Sequence, residues 1–176
     1  MIKNIIGKLA DYIKQYDKVA VVIDSDVNSS ILLNAAVSAL GSKNVLAIIP
    51  HNEFTPEARL ETSKRICTLA DVDYVTTAVF LTDEPLTQAA SPLKCYYCQR
   101  LTYREIIHEA WLKGIQTVFS SVCKSDSRDC IAGLLAITEL SVVCPFIETD
   151  IDESEIIGSL NIEGSIPRVS CSNMQG

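Results

Sequence analysis

The chain lacks any apolar run of the roughly 18 residues that a membrane-spanning helix needs. It also lacks a basic excess. Acidic residues number 22 against 15 basic, for a formal charge of −7. That charge is spread along the chain, and no cationic stripe marks a nucleic-acid partner. Nucleic acid and membrane are therefore not expected as partners. The opening segment, MIKNIIGKLADYIKQYDK, is amphipathic with scattered charges and does not read as a signal peptide. A cytoplasmic protein is expected. No internal repeat, low-complexity segment or linker breaks the sequence. One local absence matters most. The segment VVIDSDVNSSILLNAA, residues 21–36, reads as strand, tight turn and helix, yet its turn has no glycine and two aspartates.

What is present is enough for one domain with a sizeable core. The chain has 176 residues, of which 48% are hydrophobic and 21% charged, so a disordered chain is not expected. Seven cysteines are many for a reducing compartment, where structural disulfides are not expected. Several should be plain core residues.

Ile2, Ile5, Ile6, Leu9, Tyr12, Ile13 and Tyr16 fall at helical spacing. Residues 18–23 read as a doubly buried strand. A helix is expected over 29–40, stopped by Gly41, and a strand over 45–49. Pro56 opens the helix PEARLETSKRICTLA in the tolerated first turn. Further strands are expected at 73–77, 115–120 and 142–146. Further helices are expected at 99–113, stopped by Gly114, at 127–140 with Ser125 or Ser127 as cap, and at 152–159 with Asp152 as cap and Glu155 in its first turn. Residues 78–92 carry two prolines and read as loop.

Strands alternating with helices predict an α/β fold: a doubly wound parallel sheet with helices on both faces. Residues 1–164 are expected to form this single domain, and 165–176 a C-terminal loop or mobile tail. Ligands in such folds sit beyond the carboxyl ends of the strands, where the loops 24–30, 50–55 and 120–127 lie.

A phosphate loop aims backbone N–H groups at phosphate oxygens, and glycines let the backbone come close. Here Asp24, Ser25 and Asp26 occupy those places. A carboxylate about 4 Å from a phosphate charge costs about 4 kcal/mol at an effective dielectric of 20. The helix-end dipole returns about 0.3–1 kcal/mol in exposed settings. Asn28, Ser29 and Ser30 either donate hydrogen bonds to a ligand or merely cap the helix beside solvated aspartates. With Mg²⁺ bridging the charges, ATP is the ligand in question.

The residues VAVVIDSDVNSSILLNAA resemble the PP-loop segment of N-type ATP pyrophosphatases, whose usual form is SGGVDSS. KCYYCQRLTYREI resembles a segment of one branch, the LarE-type sacrificial sulfur transferases. SIPRVSCSN is similar to that family's PASACLASR, which places Cys171 on its reactive cysteine. The resemblance runs in order along nearly the whole chain. It implies an adenine nucleotide alpha hydrolase-like fold, of HUP type. It further implies a role in sulfur transfer or thiolated-cofactor synthesis, with ATP used to adenylate a carboxylate and a small-molecule cofactor precursor as substrate. A sister group carries a [4Fe-4S] cluster on three cysteines.

The departures from the family pattern are as informative. Asp24 stands on the family's serine, Ser25 and Asp26 on its glycines, and Asn28 on its aspartate. The nucleotide motif GTNADD reads SVCKSD here, with Cys123 on the third place and Asp126 on the last. Gln175 replaces the arginine that follows the reactive cysteine. Three pieces of one site have changed together, so an impaired ATP site is expected. The family's C-terminal oligomerisation region has no counterpart before the chain ends. A homo-oligomer or an active paralogue is the macromolecular partner in view.

Cys95 and Cys98 form C-x-x-C at a helix start. Three readings stand: a structural pair, a redox dithiol, or two ligands of zinc or a [4Fe-4S] cluster. For a cluster the third thiolate would be Cys171, with Cys123 next. Cys130 could point either way, and Cys67 and Cys144 are expected in the core. His51, after a strand end, is expected at the surface. His108 and Trp111, at i and i+3 on one helix, are expected to pack. Glu57, Arg59 and Glu61 are expected to form a solvated helix face. No Ser-His-Asp order suggests a triad. On this reading the protein is a divergent sulfur transferase, or else a non-catalytic cysteine-based metal or cluster protein.

Overall fold

A computed structural model of the chain describes residues 2–88, 93–124 and 131–160. Its centre is the strand β1 (Val19–Val22), buried at every residue. β1 pairs in parallel with β2 (Val45–His51) on one side and with β4 (Val118–Phe119) on the other. β3 (Tyr74–Ala78) adds outside β2, so the order is β3-β2-β1-β4. A single parallel bridge from Phe119 to Val143 extends the sheet beyond β4.

Side chains alternate along a strand, so β1 feeds two cores. Val19, Val21 and Ile23 point to one face with Val45, Ala47 and Ile49. The helices α1 (Ile2–Ile13) and α2 (Val27–Leu40) cover that face, and Cys67 joins them from α3 (Glu57–Leu69). Ala20 and Val22 point the other way with Leu46 and Ile48. There they meet α5 (Lys94–Leu112) and α6 (Ile131–Glu139), through Tyr103, Ile106, Ala110 and Ile137. The sheet is doubly wound with helices on both faces. A short α4 (Pro85–Gln88) precedes α5, while α7 (Pro145–Glu148) and α8 (Glu153–Leu160) follow α6.

The expected helix stops hold. Gly41 and Gly114 both take positive φ, 79° and 71°, which glycine reaches without a Cβ clash. Asp152 and Glu155 form a reciprocal cap at α8: the Glu155 amide donates to Asp152 Oδ1 at 3.1 Å, and the Asp152 amide donates to Glu155 Oε1 at 3.4 Å.

Several boundaries differ from expectation. The strand expected over 142–146 reduces to the bridge at Val143, because Pro145 lacks an N–H and starts the helical turn α7. β4 is two residues long rather than six. α5 begins at Lys94, five residues before the expected start. Pro56 is the N-cap of α3 rather than part of its first turn. Residues 78–92, read as loop, include the turn α4. His108 and Trp111 do not pack into the core. The buried face of α5 is Cys98, Tyr103, Ile106 and Ala110, and Trp111 is 68% exposed on another face. Among the described residues, no helix is long and apolar enough to cross a membrane.

Candidate functional site

The sheet order reverses at β1. The segment after β1 and the segment after β4 therefore flank one crevice, the usual ligand position in an open α/β sheet. On the β1 side, α2 starts at Val27 and its N-cap is Asp26. The Ser29 amide donates to Asp26 Oδ1 at 2.6 Å, and Ser29 Oγ donates to the Asp26 carbonyl at 3.1 Å. Asn28, Ser29 and Ser30 thus lie inside the first turn and are not the cap. The amide that would meet a phosphate at this helix end is already bonded to a carboxyl oxygen of the chain itself.

The aspartates are not solvated bystanders. The Asp26 amide donates to Asp24 Oδ1 at 3.4 Å, which holds the two acids together. Burial, and then the charge of Asp24, push the Asp26 carboxyl up to about 8, although the Ser29 amide works the other way. At neutral pH Asp26 therefore holds its proton.

Ser25 sits between them at φ 69°, the left-handed region. The loop keeps the backbone shape a glycine would supply, without the glycine. A non-glycine residue there costs about 1–2 kcal/mol. Ser25→Gly relieves that strain but loses a side-chain hydrogen bond, so its unfolding free energy should stay within about 0.5 kcal/mol of the parent. Ser25→Ala keeps the strain and loses the bond, and should fall by about 1 kcal/mol. Urea denaturation compares the two, and equal losses would contradict the strained geometry.

The bond Ser25 makes is to Arg59. Arg59 Nε donates to Ser25 Oγ at 3.0 Å, and Nη2 donates to the Asp24 carbonyl at 2.5 Å. Only part of the expected solvated face of α3 is therefore solvated. Glu57 and Glu61 are exposed, but Arg59 is partly buried against the loop. The reason is topological: α3 returns from β2, the direct neighbour of β1, so a long side chain in its first turn reaches the β1 loop. Nothing in the local pattern EARLE carries that signal.

Beside the loop lies a cavity of about 120 Å³, walled by Asp24, Arg59, His51, Ser63, Val79 and Thr102 among others. His51 is thus a cavity residue and not simply a surface one. The rim is stapled by Glu53, whose carboxylate accepts the Leu81 and Thr82 amides at 3.2 and 3.1 Å and the Thr82 hydroxyl at 2.6 Å. These donors, the hydroxyl first, hold the Glu53 carboxyl down at about 2. Its contribution to stability is present above the usual value near 4.5 and lost as pH falls toward 2. The site is exposed and screened, so Glu53→Gln should cost under about 1 kcal/mol at pH 7. That cost should vanish near pH 2, which denaturation at the two pH values will show.

Across the crevice, Asn28 Nδ2 donates to Cys123 Sγ at 3.4 Å, joining residues 95 apart in sequence. Both are buried, and Asn28 Oδ1 has no hydrogen-bond partner among the described residues. Ser120, next to this pair, accepts from the Tyr103 hydroxyl at 2.6 Å. Burial holds the Tyr103 phenol well above its ordinary value, so it stays a neutral donor.

Cys67 and Cys144 are buried, as expected of core residues. Cys98 is also buried, in a small apolar cluster with Val79 and Leu81, while Cys95 is partly buried. Cys130, Asp126, Cys171, Gln175 and the caps Ser125 and Ser127 lie outside the described residues. Among the described residues no group of three His, Cys, Asp or Glu side chains could hold a metal. Two thiols fall short of the three a cluster needs and the four of structural zinc. The described donors do not fit either group.

No family model matches the chain. Pyridinium-3,5-bisthiocarboxylic acid mononucleotide synthase of Lactiplantibacillus plantarum is 22% identical over 145 residues, which is 82% of this chain. The chain spans about half the length of that curated relative, 52%. Among solved structures, the NH3-dependent NAD synthetase of Campylobacter jejuni, in complex with nitrate, has a TM-score of 0.56 at 17% identity. That match covers 92% of this chain and 82% of the other. The glutamine-dependent NAD+ synthetase of Acinetobacter baumannii, in complex with ADP, has a TM-score of 0.58 at 17% identity, over 69% of this chain and 25% of the other. The chain shares the fold of these NAD synthetases, the adenine nucleotide alpha hydrolase fold, and its sequence resembles the L. plantarum synthase.

Proposed function

We propose that the chain is a divergent LarE-like PP-loop protein, linked to sulfur transfer or thiolated-cofactor synthesis, whose own ATP site is impaired. The observation that carries the impairment is the Asp26 carboxyl on the Ser29 amide at 2.6 Å. A phosphate arriving at α2 has to displace that oxygen and tolerate the charge of the Asp24–Asp26 pair. The size of the cavity agrees. At about 120 Å³ it is smaller than the roughly 300 Å³ at which ligand pockets usually begin. The A. baumannii neighbour was solved with ADP, so an intact version of this fold takes an adenine nucleotide.

The sulfur-related role draws on the L. plantarum relative, whose named product is a bisthiocarboxylic acid. By resemblance Cys171 is the sulfur-bearing residue, and Asp24, Ser25, Asp26, Asn28, Ser29, Ser30, Cys123 and Asp126 line what remains of the nucleotide site. Anaerobic calorimetry with Mg-ATP tests the impairment: no saturation at millimolar nucleotide is expected, and clear saturation rejects it. The closed loop equally favours a second reading, a non-catalytic companion of an active paralogue. Adding this chain to such a paralogue should then change its turnover, and unchanged turnover rejects that reading.

A further inference from the structure

We propose that the cavity beside the loop binds a small zwitterion, a free α-amino acid with a short side chain. Two opposite charges line this one cavity, the Asp24 carboxylate and the Arg59 guanidinium. Both are partly buried. Among the described residues neither joins an ion pair, with the other or with any third group. Arg59 touches the loop only through a carbonyl and a hydroxyl oxygen, which leaves its positive charge without a matching anion. A partly buried guanidinium held in place but not neutralised is a preformed carboxylate site. The carboxyl of Asp24, on the wall of the same cavity, gains from a cation. A ligand carrying both charges satisfies both walls at once.

Size and lining narrow the class. A cavity of about 150 Å³ holds a benzene-sized molecule, so the 120 Å³ here admits about five or six heavy atoms. That matches glycine or alanine, an amino acid with at most a one-atom side chain, and excludes a nucleoside. Ile49, Leu60 and Val79 supply apolar wall for such a side chain, and the buried Ser63 supplies a hydroxyl. This inference does not depend on whether Mg-ATP binds, since it concerns ligands without a phosphate or a base.

Calorimetric titration of the full chain with L-alanine, propionate and ethylamine tests it. Alanine should saturate in the millimolar range, and each single-charge analogue should bind at least about tenfold more weakly. Arg59→Gln should weaken alanine by a similar factor. Because Arg59 also braces the loop, Thr102→Leu provides a second variant that fills the cavity from α5 and leaves both charges in place. It should abolish alanine binding while the circular dichroism spectrum stays unchanged. No saturation at tens of millimolar alanine overturns the proposal. So does propionate binding as tightly as alanine, or alanine binding that survives Thr102→Leu.

Discussion

Replacing Asp24→Ser, Ser25→Gly, Asp26→Gly and Asn28→Asp together should strengthen Mg-ATP binding relative to the parent chain. The four changes write the superfamily loop SGGVDSS onto this backbone. They remove the carboxyl oxygen that occupies the Ser29 amide, and they free the α2 N-terminus for a phosphate. They also replace the two carboxyls at positions 24 and 26 by a single one at position 28, inside the first turn of α2. The backbone needs little adjustment, since Ser25 already sits at φ 69°. A gain of at least about tenfold is expected, read by calorimetry, the worth of one freed amide donating to an anion. A folded variant that still ignores Mg-ATP would place the impairment elsewhere, in the segment around Cys123 or in Arg59.

Asp26→Asn should make the protein more stable at alkaline pH and leave it nearly unchanged in acid. The folded-state carboxyl is raised to about 8 from its usual 3.8. The neutral form is the one the fold prefers. Its stabilising contribution is complete below about 4 and is lost as pH rises through about 8. The parent chain should therefore lose stability between those limits, and the asparagine variant should not. Asparagine also keeps an oxygen for the Ser29 amide, so the cap survives. The loop is only partly buried, and solvent screening reduces the effect to about 2 kcal/mol at pH 9. For a chain of this size that is a rise of about 4–8 °C in Tm. Parallel Tm profiles for the two proteins from pH 4 to 9 would refute the buried acid pair.

Much of the fold was legible in the sequence. The uninterrupted apolar run at residues 19–23 marked a strand buried on both faces, and β1 lies there. Gly41 and Gly114 marked helix ends because positive φ is a local requirement. Asp152 and Glu155 marked a helix start for the same local reason. The turn 24–26 was placed correctly, but its chemistry was not. Asn28, Ser29 and Ser30 read as caps, whereas Asp26, before all three, is the cap. His108 and Trp111 share a helical spacing with many packed pairs, yet periodicity alone does not say which face of α5 meets the sheet.

The sequence by itself determined the alternation of strands and helices, the doubly buried centre and the unusual acidic turn. These follow from side-chain periodicity and from backbone limits that act within a few residues. The tertiary structure alone decided what the turn touches. Arg59 reaches Ser25 across 34 residues, and Asn28 reaches Cys123 across 95. Both contacts exist because the strand order puts β2 on one side of β1 and β4 on the other. That order is a property of the whole packed sheet, so no local segment records which distant side chains will close its loop.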